Sequence, residues 1–91
     1  MMAPKSHITA TFLRRLSELS PEIQAQAKAD YRQFQRDPNY PGLNFHTVTR
    51  RKETLYAIYV GIHYRALATM EHGELYWFWI GHHSVYDKLI N

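Results

Sequence analysis

The sequence predicts an α+β domain: a helical hairpin packed on one face of a small antiparallel β-sheet, with a short C-terminal helix. Two observations carry this. Apolar residues recur at three- and four-residue spacing only between Thr9 and Arg36, and from Leu43 onward the pattern changes to runs rich in Tyr, Ile, Val and Trp. Helices and strands are therefore segregated along the chain. Ninety-one residues without internal repeat, low-complexity tract or linker make a single domain spanning 1–91.

Residues 5–9 form a short edge strand. Phe12, Leu13, Leu16 and Leu19, with Arg14, Arg15 and Glu18 between them, define a first amphipathic helix. Ser20-Pro21-Glu22 restarts the chain as a second helix, with Ser20 as N-cap and Pro21 at the first helical position. That helix carries Ile23, Ala27, Tyr31 and Phe34 on one face. The Asp37–Gly42 segment ends it, because neither of its prolines can continue helical pairing. Strands follow at 44–49 and 54–60, on either side of a charged turn, Arg50-Arg51-Lys52-Glu53. Gly61 marks a bend or bulge, a third strand runs over 62–70, and a hairpin at 71–74 leads to a fourth over 75–80. The run Tyr76-Trp77-Phe78-Trp79-Ile80 reads as a central strand buried on both faces, with Trp77 and Trp79 on one side of it. Gly81 breaks that strand, and 84–90 closes the chain as a helix.

The composition, 45% hydrophobic and 14% aromatic, suits a packed core and argues against disorder. No cysteine is present, which removes disulfides, thiolate metal sites and cysteine nucleophiles and fits a reducing cytoplasm. The segment 1–7 has no apolar signal core, and no window reaches the length of a membrane span, so no membrane partner is expected. A net charge of +3, with six further histidines, weakly favours a polyanionic or acidic partner.

Three stretches then carry a resemblance: Leu19-Ser20-Pro21-Glu22-Ile23-Gln24, Gly61-Ile62-His63-Tyr64-Arg65-Ala66-Leu67, and Trp77-Phe78-Trp79-Ile80-Gly81-His82-His83-Ser84-Val85-Tyr86-Asp87. In order and spacing the chain resembles the RelE/ParE superfamily of bacterial type II toxins. The resemblance implies a β-α-α-β-β-β fold with a C-terminal helix, and a toxin neutralised by a cognate antitoxin. Ribonuclease members of that superfamily cut mRNA, usually on the ribosome and without metal. Gyrase-inhibiting members share the fold and are not enzymes. Three residues match its motifs: Arg65 in the "YR" of the third strand, His83 in "G-x-H" and Tyr86 in "H-x-x-Y". His82 stands where that branch usually has a small residue, so no role passes to it.

Metal-free RNA cleavage needs an acceptor for the 2′-hydroxyl proton, a cation for charge growing on the phosphorus oxygens, and a donor for the leaving 5′-oxygen. Arg65 offers a guanidinium fork matched to phosphate, His83 and His63 can move protons, and Tyr86 can position a hydroxyl or a base. His46, Arg50, Arg51 and Lys52 would hold the flanking RNA. Each residue also has a structural reading. His63 could be a half-buried strand residue, Arg65 an ion-pair partner of Glu74 or Asp87, and the tryptophans core. Arg50 to Lys52 could be a solvated turn, and Tyr86 could dock the last helix. His82 and His83 suggest a metal only superficially, because neighbours on an extended strand point apart and no carboxylate or thiolate set accompanies them. No metal or small-molecule cofactor is expected. The expected function is an mRNA endoribonuclease toxin. A gyrase inhibitor and an inactive module that keeps the fold are the alternatives.

Overall fold

The computed structural model describes residues 4–91; the first three residues of the segment read as lacking a signal core lie outside it. The chain runs β1 (Ser6–Ile8), α1 (Ala10–Ser17), α2 (Pro21–Arg36), a 3-10 turn (Pro41–Leu43), β2 (His46–Arg50), β3 (Glu53–Val60), β4 (Tyr64–Glu71), β5 (Glu74–His82) and α3 (His83–Ile90). No helix is long and apolar enough to cross a membrane among the described residues.

Local chemistry sets the helix starts. Thr9 Oγ1 accepts from the Phe12 N–H at 3.2 Å and donates to the Trp77 carbonyl at 2.8 Å, so α1 begins already tied to the sheet. Ser20 caps α2 by accepting from the Ile23 N–H, with Pro21 at its first position, as the sequence requires. The two helices then bury Phe12, Leu16, Ala27 and Phe34 against one sheet face. Phe34 meets Trp77 edge-on at 5.6 Å. Leu13, placed on the buried stripe by its spacing, is instead 55% exposed.

The strand order is β1-β5-β4-β3-β2. β2 to β5 form the expected antiparallel meander, but it has four strands where the resemblance implies three. β1 pairs with β5 in parallel, which makes the sheet mixed. The central strand is therefore β4, and β5 lies one in from the edge. On the opposite face, Leu55, Ala57, Leu67, Trp79 and Tyr86 form a second core under α3.

The aromatic strand differs from its expected geometry in two ways. Leu67 pairs with Trp79 and Ala68 with Trp77, leaving Phe78 unmatched as a β-bulge. The tryptophans consequently sit on opposite faces, Trp77 in the helix-side core and Trp79 in the α3-side core. Both are buried, as a core role demands. Gly81 does not end the strand, which continues to His82. Its function is clearance: a Cβ there would lie 2.7 Å from the Trp79 ring and 3.2 Å from an Arg15 nitrogen.

Two hairpins turn on residue pairs with positive φ, Arg51-Lys52 (50° and 68°) and His72-Gly73 (53° and 79°). Left-handed geometry at Arg51 and Lys52 costs about 1–2 kcal/mol each, since neither is glycine. The β1–β5 junction is held by His7, whose Nε2 lies 2.5 Å from Glu74 Oε1 and whose ring stacks on Tyr76 at 4.7 Å. The hydrogen bond with His7 is the main reason the Glu74 carboxyl titrates below its usual value of 4.5.

Gly81→Ala is expected to destabilise the fold by about 1–3 kcal/mol, because the added methyl displaces the Trp79 ring; a urea midpoint equal to the parent's would refute the clearance role. A carboxyl with a depressed folded-state pKa stabilises above its unfolded value and loses that contribution as pH falls through the folded one. The stability gap between parent and Glu74→Gln should accordingly narrow as pH drops below 4.5, a trend that urea titrations at stepped pH would read directly.

Candidate active site

Register brings the site together. Gly61, Ile62 and His63 form a three-residue turn between Val60 and Tyr64, with Gly61 at φ 60° and its N–H bonded to Asp30 Oδ2 at 3.0 Å. His63 thus lies in the turn, not on the third strand as expected. The pairing that follows sets Tyr59 opposite Arg65, and Arg65 opposite Gly81, on the sheet face that α3 partly covers.

Arg65 is the best-defined group there. Its guanidinium lies over the Tyr59 ring, 3.7 Å from the centroid, and Nη1 donates to the carbonyls of Tyr64 (2.8 Å) and Ile62 (3.1 Å). No ion pair joins it to Glu74 or Asp87: among the described residues those carboxylates face His7 and His83 instead. The ion-pair reading of Arg65 therefore fails, and the fork keeps further N–H donors on a half-exposed face.

Tyr86, on α3, is buried beside Trp79 with ring centroids 6.5 Å apart. Burial pushes its phenol pKa above 10, with the Arg65 charge acting in the opposite sense. Tyr86 therefore stays protonated at neutral pH, and its buried ring docks α3.

Three histidines gather at the other end of α3. The His83 N–H donates to the His63 carbonyl at 2.8 Å, fastening the first residue of α3 to the β3–β4 turn. His82 ends β5 and caps α3, its Nδ1 accepting from the Ser84 N–H at 3.1 Å. Because the backbone passes from strand to helix between them, the His82 and His83 rings do not point apart as expected. Their centroids are 4.5 Å apart, and each is about 6 Å from the ring of His63.

On the opposite flank, His46 of β2 shares the Arg65 face and stands edge-on to Tyr59 at 6.3 Å. Its Nδ1 lies 2.5 Å from the Asn44 carbonyl, which can only accept. Nδ1 therefore carries a proton, and Nε2 is the position open to accept one. Arg50, expected to hold RNA, donates from Nε to the Leu89 carbonyl at 2.7 Å and so caps the C-terminus of α3. Arg51 and Lys52 remain exposed at their turn.

Two contributors escape sequence reasoning. Tyr59, the platform under Arg65, follows from pairing about a 61–63 turn, and reading Gly61 as a bend hid that register. Arg15 of α1 reaches the edge of β5 beyond the end of β1. Its Nε donates to the Ile80 carbonyl at 3.0 Å, and its guanidinium lies 4.8 Å from the Trp79 ring centroid. A helical arginine between apolar positions gives no sequence signal for that reach.

A family model for the ParE-like toxin domain matches residues 21–88. Among solved structures, a chain of the RelBE2 toxin–antitoxin complex from Mycobacterium tuberculosis is similar with a TM-score of 0.65 and 20% identity, over 89% of this chain and 99% of that one. A copper-bound mutant toxin from Helicobacter pylori gives a TM-score of 0.61 and 13% identity, over 90% of this chain and 97% of that one. A search of curated protein sequences found no match. The fold and the family match together define a RelE/ParE-type toxin. The chain belongs to the ParE-like toxin domain family.

Arg50→Met should lower stability by about 1–2 kcal/mol, the worth of a charge-assisted bond to a helix C-terminus; an unchanged urea midpoint would rule that role out.

Proposed function

We propose that this toxin is a metal-free, ribosome-dependent mRNA endoribonuclease of the cytoplasm, neutralised by a cognate antitoxin. The observation that carries the reading is the arrangement around Arg65. The guanidinium stacks on Tyr59, whose ring His46 meets edge-on from β2. It bonds the carbonyls of Ile62 and Tyr64 on either side of His63, which lies against His83. Its charge also acts on the Tyr86 phenol. An in-line displacement at phosphorus needs its acceptor and donor on opposite flanks of the phosphate. Imidazoles on β2 and on the β3–β4 turn offer the two groups.

In this scheme one imidazole takes the 2′-hydroxyl proton as that oxygen attacks the adjacent phosphorus. Arg65 holds the non-bridging oxygens as their charge grows, in a geometry its stacking and two carbonyl bonds have already fixed. The imidazole on the opposite flank gives a proton to the departing 5′-oxygen, leaving a 2′,3′-cyclic phosphate. Arg51 and Lys52, exposed on a tight turn, would neutralise the RNA backbone nearby. The antitoxin has an apolar surface available on the helix side. A recess of about 140 Å³ opens there, lined by Phe12, Leu13, Leu16, Ala27, Tyr31 and Trp77 among others. A solved relative whose structure is a toxin–antitoxin complex supports such a partner.

Gyrase inhibition is the second reading, favoured by the ParE-like description of the matching family. Primer extension after brief induction separates the two. Codon-associated mRNA cuts are expected, lowered about 10²- to 10³-fold in Arg65→Ala and His83→Ala. A DNA-damage response without cuts would support gyrase inhibition. Cuts that persist at parental rate in both variants would remove these residues from the mechanism.

A further inference from the structure

We propose that His63, His82 and His83 form a three-imidazole site for a late first-row transition-metal dication, zinc or copper. One ligand nitrogen from each ring lies within 4.8 Å of the other two, although the residues come from a turn, a strand end and a helix start. A tetrahedral ion about 2.0–2.1 Å from each nitrogen wants them about 3.3 Å apart. Side-chain rotation closes that gap, because His63 is exposed and the other two rings are only half-buried. The backbone does not need to move: the His83 N–H to His63 carbonyl bond already fixes the spacing of the elements.

Two rings also have groups beside Nδ1 that suit ligation through Nε2. His83 Nδ1 faces the Asp87 carboxylate at 3.7 Å, and His82 Nδ1 lies 3.0 Å from Ser84 Oγ. A partner on Nδ1 orients an imidazole and raises the basicity of its other nitrogen. For His82 this requires a tautomer change. Nδ1 now accepts from the Ser84 N–H, and with a metal on Nε2 it would donate to Ser84 Oγ instead. The N-terminal end of α3 repels a cation, and Asp87 one turn along partly offsets that field. Neutral imidazole donors without carboxylates select zinc or copper over magnesium or calcium.

Occupancy has a consequence that rests on the endoribonuclease reading. A metal held by His63 and His83 occupies the lone pairs that one flank of the proton transfer needs, so the loaded toxin is silenced. His82, which no catalytic role requires, would then be the residue that turns a proton-transfer pair into a chelate.

Calorimetric titration of the untagged, chelator-stripped chain with zinc and with copper(II) tests the site. One equivalent is expected for either metal, with none for magnesium. His82→Asn keeps a competent helix cap but removes the ligand, and should weaken binding at least tenfold. His63→Gln should do the same, and His72→Gln, remote on its hairpin, should match the parent. Absence of binding, or equal binding by parent and His82→Asn, overturns the site. Cleavage assays at equimolar zinc then separate the two claims. Inhibition of the parent but not of His82→Asn supports silencing, and a zinc-bound parent that cuts at full rate overturns silencing while the site stands.

Discussion

One unmatched residue governs the arrangement of this domain. Phe78 has no partner across β4, and the bulge it makes shifts every later residue of β5 to the other side of the sheet. Without it Trp77 and Trp79 would share a face, and the α3-side core would lose its largest side chain. With it Trp77 packs on Phe34 beneath the helices, while Trp79 supports Tyr86 and α3. Each fully buried side chain of this size contributes about 2–3 kcal/mol, so dividing them lets a small chain hold both layers. The division has a cost as well. Trp77 Nε1 is buried without a hydrogen-bond partner, a penalty of about 1–3 kcal/mol that good packing must outweigh.

The same shift places the site. Past the bulge, Gly81 falls opposite Arg65 on the α3 side, and the absent side chain leaves space that the Trp79 ring fills. Arg15 closes over that ring from the sheet edge. Arg65 is thus bounded by aromatic surface, with Tyr59 directly beneath it, and its two carbonyl bonds leave it little freedom. A cation ordered before its ligand arrives loses less entropy on binding than a surface arginine does. Packing and electrostatics share their strands here: Tyr59, on which the Arg65 charge rests, lies on β3, whose Leu55 and Ala57 build the second core.

Much of this was legible in the sequence. The cap at Ser20, the two helices and the hairpin tips follow from local chemistry that tertiary contacts reinforced. Arg65, His83 and Tyr86 could be named as candidates because spaced motifs carry them. What was hidden depends on register or on chain direction. Strict alternation assigned the tryptophans to one face, and only pairing reveals a bulge. Adjacent histidines diverge on a strand, but His82 and His83 straddle a strand–helix boundary, where that rule stops applying. Arg50 reads as a surface charge until the fold brings the last turn of α3 beside it. Reading Gly61 as a bend rather than the first residue of a turn concealed the Tyr59–Arg65 stack.

The parallel pairing of β1 carries a consequence for how the molecule is made. Ser6 lies opposite Leu75, His7 opposite Tyr76 and Ile8 opposite Trp77, each pair 69 residues apart. Thr9, which starts the first helix, spends its hydroxyl proton on that same distant strand. A chain emerging from its N-terminus therefore meets the partner of its first strand only when most of its length has been synthesised. Until then the helices have half a floor, and Arg65 has neither Gly81 opposite it nor α3 beside it. Long-range closure of this kind slows folding. It also means that a nascent chain stays incomplete at its candidate site until synthesis has nearly finished.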